Sequence, residues 1–213
     1  MSETNYKDDL QNGLSTTYAL GKKNMDTEFV NGKRHGVSHM YKPDGTVLFT
    51  TDEVADGYLG SYDISDPANP IFLDQIQSNP GNNVIPHNAM VLGNYLVTSY
   101  YTDGVTVHDI SDPANMVEVG YYDTSPNYSG GTFNGCWGVY PYFASGNIIA
   151  SDTEEGLYIL GFSPTLTAYL EGKVTNAGTG QPINNALIEI LTTPITDNSD
   201  VLGDYSIGTT NTG

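Results

Sequence analysis

The apolar positions of this chain come in short runs separated by turns, and three segments repeat the same order of runs. "HMYKPDGTVLFTTDE" (39–53), "HNAMVLGNYLVTSYYTDG" (87–104) and "WGVYPYFASGNIIASDTEEG" (137–156) each read as a short apolar strand, a turn containing Gly, a β-rich strand and an acidic turn. A third strand follows in each, as "YLGSYDI", "VTVHDI" and "LYIL". In the first two copies "DISDPANP" (63–70) or "DISDPANM" (109–116) then turns the chain into a fourth strand, "IFLDQI" or "VEVGYY". The two octapeptides lie 46 positions apart, His39 to His87 spans 48, and His87 to Trp137 spans 50.

Four short antiparallel strands at a period of roughly 40–50 residues predict a β-propeller blade, because no such strand buries a face alone and neighbouring blades must supply the rest of each core layer. A β-sandwich is the alternative, but it does not explain the even spacing. The chain is therefore expected to be all-β: a partial β-propeller of about three four-stranded blades over 35–163, plus a small, incomplete β-sandwich over 166–213. Residues 1–34, with "TTYAL" and "TEFVNG", carry a weaker pattern and are expected to hold remnants of a preceding blade. Three blades fall short of the roughly 4–8 that close a ring, so the segment reads as part of a longer protein, with open faces that invite oligomerisation.

The repeated octapeptide has a structural role to fill. Pro67 and Pro113 suit position i+1 of a turn that starts at Asp66 or Asp112. The Asp carboxylate can accept backbone N–H groups, Asn69 or Asn115 tolerates the left-handed region, and Asp63 or Asp109 at the strand end can tie down the same backbone. The functional alternative is calcium held by Asp63, Ser65, Asp66 and Asn69, although the glycine and distal Glu of a calcium loop are absent.

Composition adds limits. Sixteen Tyr, 24 Gly and 11 Pro suit strands and turns. The formal charge is −18, and six of the seven basic residues fall between Lys7 and Lys42. No Lys or Arg lies between Pro43 and Gly172, a window with sixteen Asp and Glu. Such a surface repels phosphate backbones and anionic membranes, which argues against nucleic-acid binding and direct membrane insertion. No apolar run reaches the ~18 residues of a membrane span. The single Cys136 excludes an internal disulfide framework, and with no base beside it reads as a buried filler.

The "DISDPANP" turn, "LFTTDE", "HNAMVLGNYLVTSYYTDGVTVHDISDPANMVEVGYYDT" and "WGVYPYFASGNIIASDTEEGLYIL" resemble the LVIVD repeats of the choice-of-anchor B family, over about residues 37–161. The resemblance implies a β-propeller and an extracellular or cell-surface home in a bacterium, which a fragment lacking its leader would fit, and implies no catalytic residues. The segment "LEGKVTNAGTGQPINNALIEILTTPITDNSDVLGDYSIGTT" (170–210) is similar to the carboxypeptidase regulatory-like domain, a transthyretin-like sandwich. The match runs through Gly172 to Val174, Thr179 to Ile183, Ala186 to Ile190, Thr196, Asp197, Gly203, Tyr205 and Ile207, with "NSDVLGD" two residues longer than the usual turn. It implies a non-catalytic accessory module.

Two patches carry candidate chemistry. His39 and His87 occupy the same place in successive blades, before first strands that line a propeller's channel. Beside Asp52, Glu53 or Asp103 they would make a divalent-cation site, and a metal-dependent hydrolase is the enzymatic alternative by analogy of fold alone. Trp137 replaces the histidine in the third copy, and His108 reads as a packing residue. The other patch, "YYDTSPNYSGGTFNGCWGVYPYF" (121–143), puts eight aromatic residues around a glycine-rich loop. Tyr128, Phe133 and Trp137 are its candidates for stacking on a glycan or clamping a protein partner at the cell surface. No nucleophile elbow, HExxH, phosphate loop or dinucleotide fingerprint is present. The expected function is a non-enzymatic extracellular scaffold for binding or adhesion, without a resident cofactor, and with a carbohydrate-binding module as a further alternative.

Overall fold

The computed structural model describes residues 2–19, 22–34, 39–42, 44–163 and 167–210, and all regular structure among them is β-strand. The first sheet has eight strands: β1 (Ser2–Lys7), β2 (Leu10–Ala19), β3 (Lys22–Val30), β4 (Lys33–Arg34), β5 (His39–Tyr41), β6 (Val47–Thr51), β7 (Leu59–Asp63) and β8 (Ile71–Ile76). The second is a four-stranded meander of β9 (Asn88–Leu92), β10 (Tyr95–Ser99), β11 (Val105–Asp109) and β12 (Val117–Tyr122). The third contains β13 (Cys136–Tyr140), β14 (Asn147–Asp152) and β15 (Gly156–Gly161). The remainder forms two two-stranded sheets, β16 (Ala168–Lys173) with β19 (Asp204–Thr209), and β17 (Leu187–Glu189) with β18 (Thr196–Asn198). All pairings are antiparallel and none of the sheets closes into a barrel.

Two features differ from the sequence expectation. β3 pairs with β5 through Met25↔Met40 and Asp26↔His39, so β1–β4 extend the first unit's own sheet. Asp26 anchors this extension, accepting hydrogen bonds from Thr16 at 2.8 Å and Tyr41 at 2.8 Å and pairing with Lys23. The third unit has three strands, not the four of the expected blade. The next strand, β16, lies in the segment assigned to the separate C-terminal unit and pairs with β19, from Ala168↔Thr209 to Lys173↔Asp204.

Period-two alternation places the core. In β6 every second residue is buried (Val47, Phe49, Thr51), as expected of a strand with one inward face. In β11 all five residues are buried, because sheets cover both of its faces. Between the first and second sheets Met40, Phe49 and Leu59 pack against Ala89, Val91 and Leu96. Between the second and third, Val97, Val105 and Val107 pack against Val139, Ile148 and Ala150. The second layer contains Cys136, whose thiol is pushed up to about 12 by burial and by the nearby Asp152 carboxylate.

Both octapeptides are turns with Pro67 or Pro113 second: Asn69 N–H donates to Asp66 O at 3.0 Å, and Asn115 N–H to Asp112 O at 3.2 Å. The carboxylates of Asp66 and Asp112 accept the N–H of Ala68 and Ala114, while Asp63 and Asp109 accept those of Ser65 and Ser111. Bonds from Ser65 hold Asp63 below the usual carboxylate range, and bonds from the Asn69 side chain and Ala68 do the same for Asp66. In the calcium alternative, then, Asp63 and Asp66 already face amides of their own turn. Neither Asn69 nor Asn115 takes the left-handed conformation. Their amides instead act as donors, Asn69 to Asp66 at 2.7 Å and Asn115 to Ile207 O at 3.3 Å.

That last bond belongs to the seat of the C-terminal unit on the second sheet. Thr167 Oγ1 donates to Asp109 Oδ2 at 2.7 Å, and Gly208 comes so close to Val117 that a Cβ there would lie 2.4 Å from its methyl carbon.

Candidate functional site

The glycine-rich segment before β13 ends at Gly135, and its backbone builds the site. Gly135 has φ +96°, and a Cβ there would lie 2.3 Å from Tyr101 O. A bare backbone lets Cys136 and Tyr101 exchange hydrogen bonds, at 2.9 and 3.2 Å. Tyr101 itself has φ +39°, unusual for a bulky residue, and is held by this bridge and by Gly104 N–H, which donates to Tyr101 O at 2.9 Å. The bridge brings the start of the third sheet against the turn after β10, beside His87.

Four rings meet there. His87 lies 4.6 Å from Trp137 and 5.2 Å from Tyr101 between centroids; Tyr101 meets Phe133 edge-on at 5.2 Å and Trp137 at 6.0 Å. Tyr101 and His87 are buried, whereas Trp137 is 50% and Phe133 61% exposed. Two fixed rings thus form a floor beneath two rings open to solvent. The His87 Nδ1 faces the Trp137 carbonyl oxygen and lies 2.9 Å from the Asn88 side-chain amide nitrogen. Its Nε2 lies 3.6 Å from Glu53 Oε1, and Glu53 also accepts a 2.5 Å hydrogen bond from Tyr101 Oη. The half-exposed Glu53 carboxylate is therefore aimed by the rings it borders.

The predicted cation ligands separate. Glu53 and His87 come together. Asp52 is exposed and its backbone is used in the turn after β6, with its N–H bonded to Tyr58 O at 3.0 Å. Asp103 accepts from Ser78 Oγ at 2.7 Å and lines another cavity, of about 420 Å3, with Asn79, Thr102, Glu118 and Asp123. The side chain of His39 lies outside the described residues. Among the described residues, no group of three or more His, Cys, Asp or Glu is placed to hold a metal ion. Of the aromatic candidates, Phe133 and Trp137 join the cluster, and Tyr128, 39% exposed, lies in the same loop with its N–H bonded to Ser125 O at 2.9 Å.

Tyr101 escaped notice in the sequence, where "SYYTDG" reads as a strand end and a turn; its role comes from a backbone bridge to a residue 35 positions later. A second unforeseen group is the Glu118 carboxyl, pushed up to about 7 by burial and by Asp103. Beside it on β11, His108 is fully buried, its ring pulled down to about 3 by that burial, and neither ring nitrogen has a hydrogen-bond partner. The 3.8 Å between His108 Nε2 and Glu118 Oε2 separates an uncharged imidazole from a carboxyl, and is no ion pair.

Repeated antiparallel units stacked through apolar faces define a β-propeller-like repeat protein. Residues 54–77 and 87–124 match the family described as LVIVD repeat, which supports the reading of the first two units as LVIVD repeats. No curated protein matches the chain. No helix among the described residues is long and apolar enough to cross a membrane.

Proposed function

We propose that the chain is a non-enzymatic binding scaffold of the choice-of-anchor B kind, displayed outside a bacterial cell. In this reading its C-terminal unit is a carboxypeptidase regulatory-like accessory module, and it holds its partner through the Trp137–Phe133 surface. The observation that carries the reading is the pair of exposed rings fixed over buried His87 and Tyr101. Rigid aromatic area of this kind contributes contact at low entropic cost. The lack of Lys and Arg across residues 43–172 disfavours polyanionic partners.

The Glu53 carboxylate beside the rings favours one ligand class, a neutral glycan, since a carboxylate accepts sugar hydroxyls while the rings cover the apolar sugar face. A glycan array probed with the chain and with its W137A/F133A variant tests this. Signal lost in the variant supports the site. An array silent for both removes the glycan class, and signal unchanged in the variant removes the surface.

A further inference from the structure

Both internal junctions use the same positions of the repeat. β6 and β10 each begin opposite the last Asp of the next strand, Val47↔Asp63 and Tyr95↔Asp109, which aligns Phe49 with Val97 and Leu59 with Val105. Phe49 and Leu59 are covered by the second sheet, and Val97 and Val105 by the third. In the third sheet the pairings Tyr140↔Ile149 and Ile149↔Ile159 put Tyr140, Leu157 and Ile159 on the corresponding face. No described residue covers it: Leu157 is 66%, Ile159 65% and Tyr140 47% exposed, where Val97, Val105 and Val107 are 0, 2 and 5%.

The complementary face is open at the other end. Leu48, Tyr62 and Phe72 form one cross-strand row on the first sheet, on the side away from the second, with Phe72 53% exposed and edge-on to Tyr62 at 5.7 Å. Leu48 and Tyr62 hold the positions that Leu96 and His108 hold in the second sheet, the positions a preceding unit covers. Six of the seven basic residues fall in the segment 7–42, beside four Asp and Glu, and Lys23 pairs with Asp26 and lies over the Tyr41 ring.

We propose that the open face of the third sheet docks head to tail on the open face of the first sheet in a second copy of this chain, reproducing between molecules the junction made twice within one. The contact is heterologous, so it propagates to a ring or a string of copies and does not stop at a self-matched pair. The two faces differ in their residues, so the contact has one direction.

Light scattering and sedimentation of the whole chain across a concentration series test the contact with two variants, F72D and L157D/I159D, each checked for native circular dichroism. The substituted side chains are exposed, and L157S/I159S serves as a milder replacement should the acidic pair not fold. The expected result is that the wild-type mass rises with concentration and that each variant alone stays at the single-chain mass. An equimolar mixture of the two should give a species of twice that mass, because each retains the face the other lacks. A wild-type chain that remains single throughout overturns the proposal, as does a mixture that fails to pair. Self-association that survives F72D but not L157D/I159D would show third sheets meeting each other, and overturns it equally.

Discussion

β11 of the second unit and β15 of the third are aligned strands of similar apolar content, yet one is buried at every residue and the other leaves Leu157 and Ile159 mostly in water. Strand sequence does not explain the difference. β11 has sheets against both faces, and β15 against one. In this architecture burial is a property of the stack, and each unit contributes only half of any core layer. The second sheet accordingly holds large side chains at no exposure, among them Leu96 and Tyr100.

The largest test of that contrast is a pair of truncations. Leu96→Ala should cost about 2–5 kcal/mol in urea denaturation, the range for emptying a filled core site. Ile159→Ala, measured at a concentration where copies are apart, should change stability by under about 0.5 kcal/mol. Equal costs at the two sites would mean that the third sheet's face is covered after all. Gly135→Ala comes next. Forcing φ +96° on an alanine costs about 1–2 kcal/mol, and its Cβ overlaps Tyr101 O at 2.3 Å. Breaking the bridge between the second and third units should destabilise the chain and shift the emission of Trp137, the single tryptophan. Unchanged emission would separate the bridge from the ring cluster.

The stacking was legible in the sequence because a period is a global signal: the recurrence of DISDPAN, and of His39, His87 and Trp137, marks units whatever their packing. Period two shows in the burial of β6 and is hidden in β10, where sheets on both sides bury all but Tyr95. Past the third unit the period lapses, and the segment 166–213 was read as a separate unit; there β16 pairs with β19, some 35 positions on, in a register that no local pattern displays. The ring cluster was half visible. Phe133 and Trp137 stood out by type, whereas Tyr101 and Glu53 reach them through a turn geometry and a cross-unit contact. Among the described residues the cation candidates part for the same reason: a similar place in the repeat brings Glu53 to His87, but directs Asp103 to Ser78.

The two octapeptides offer a finer comparison, with one sequence in two settings. Asn115 is buried and donates to Ile207 O, while Asn69 is exposed and donates only within its own turn. Asn115→Ala should cost about 1 kcal/mol, the usual worth of one such bond, and should loosen the C-terminal unit in hydrogen exchange at β19. Asn69→Ala should cost a few tenths at most, as exposed side-chain bonds do. Similar costs would place the value of the motif in the turn itself and not in what docks on it.

The smallest effect is a matter of pH, and it arises because the second unit is covered on both sides. His108 is uncharged when folded, with its ring near 3 against an ordinary 6.5. Between those values the unfolded chain binds a proton that the folded chain does not, so stability rises with pH. Glu118 runs the other way, from 4.5 to about 7. Across that window the folded chain keeps a proton the unfolded chain has released, and stability falls as pH rises. From about 4.5 to 6.5 the two slopes oppose. Water at the exposed third of the Glu118 side chain weakens its share, so a shallow rise of stability with pH is left there. Glu118→Gln removes the falling limb alone. Thermal midpoints of the variant should match the wild type below pH 4.5, pull ahead as pH climbs to 7, and hold a constant lead above it. A constant difference at every pH would mean that Glu118 titrates like a surface carboxylate, and that the second sheet is less enclosed than its burial implies.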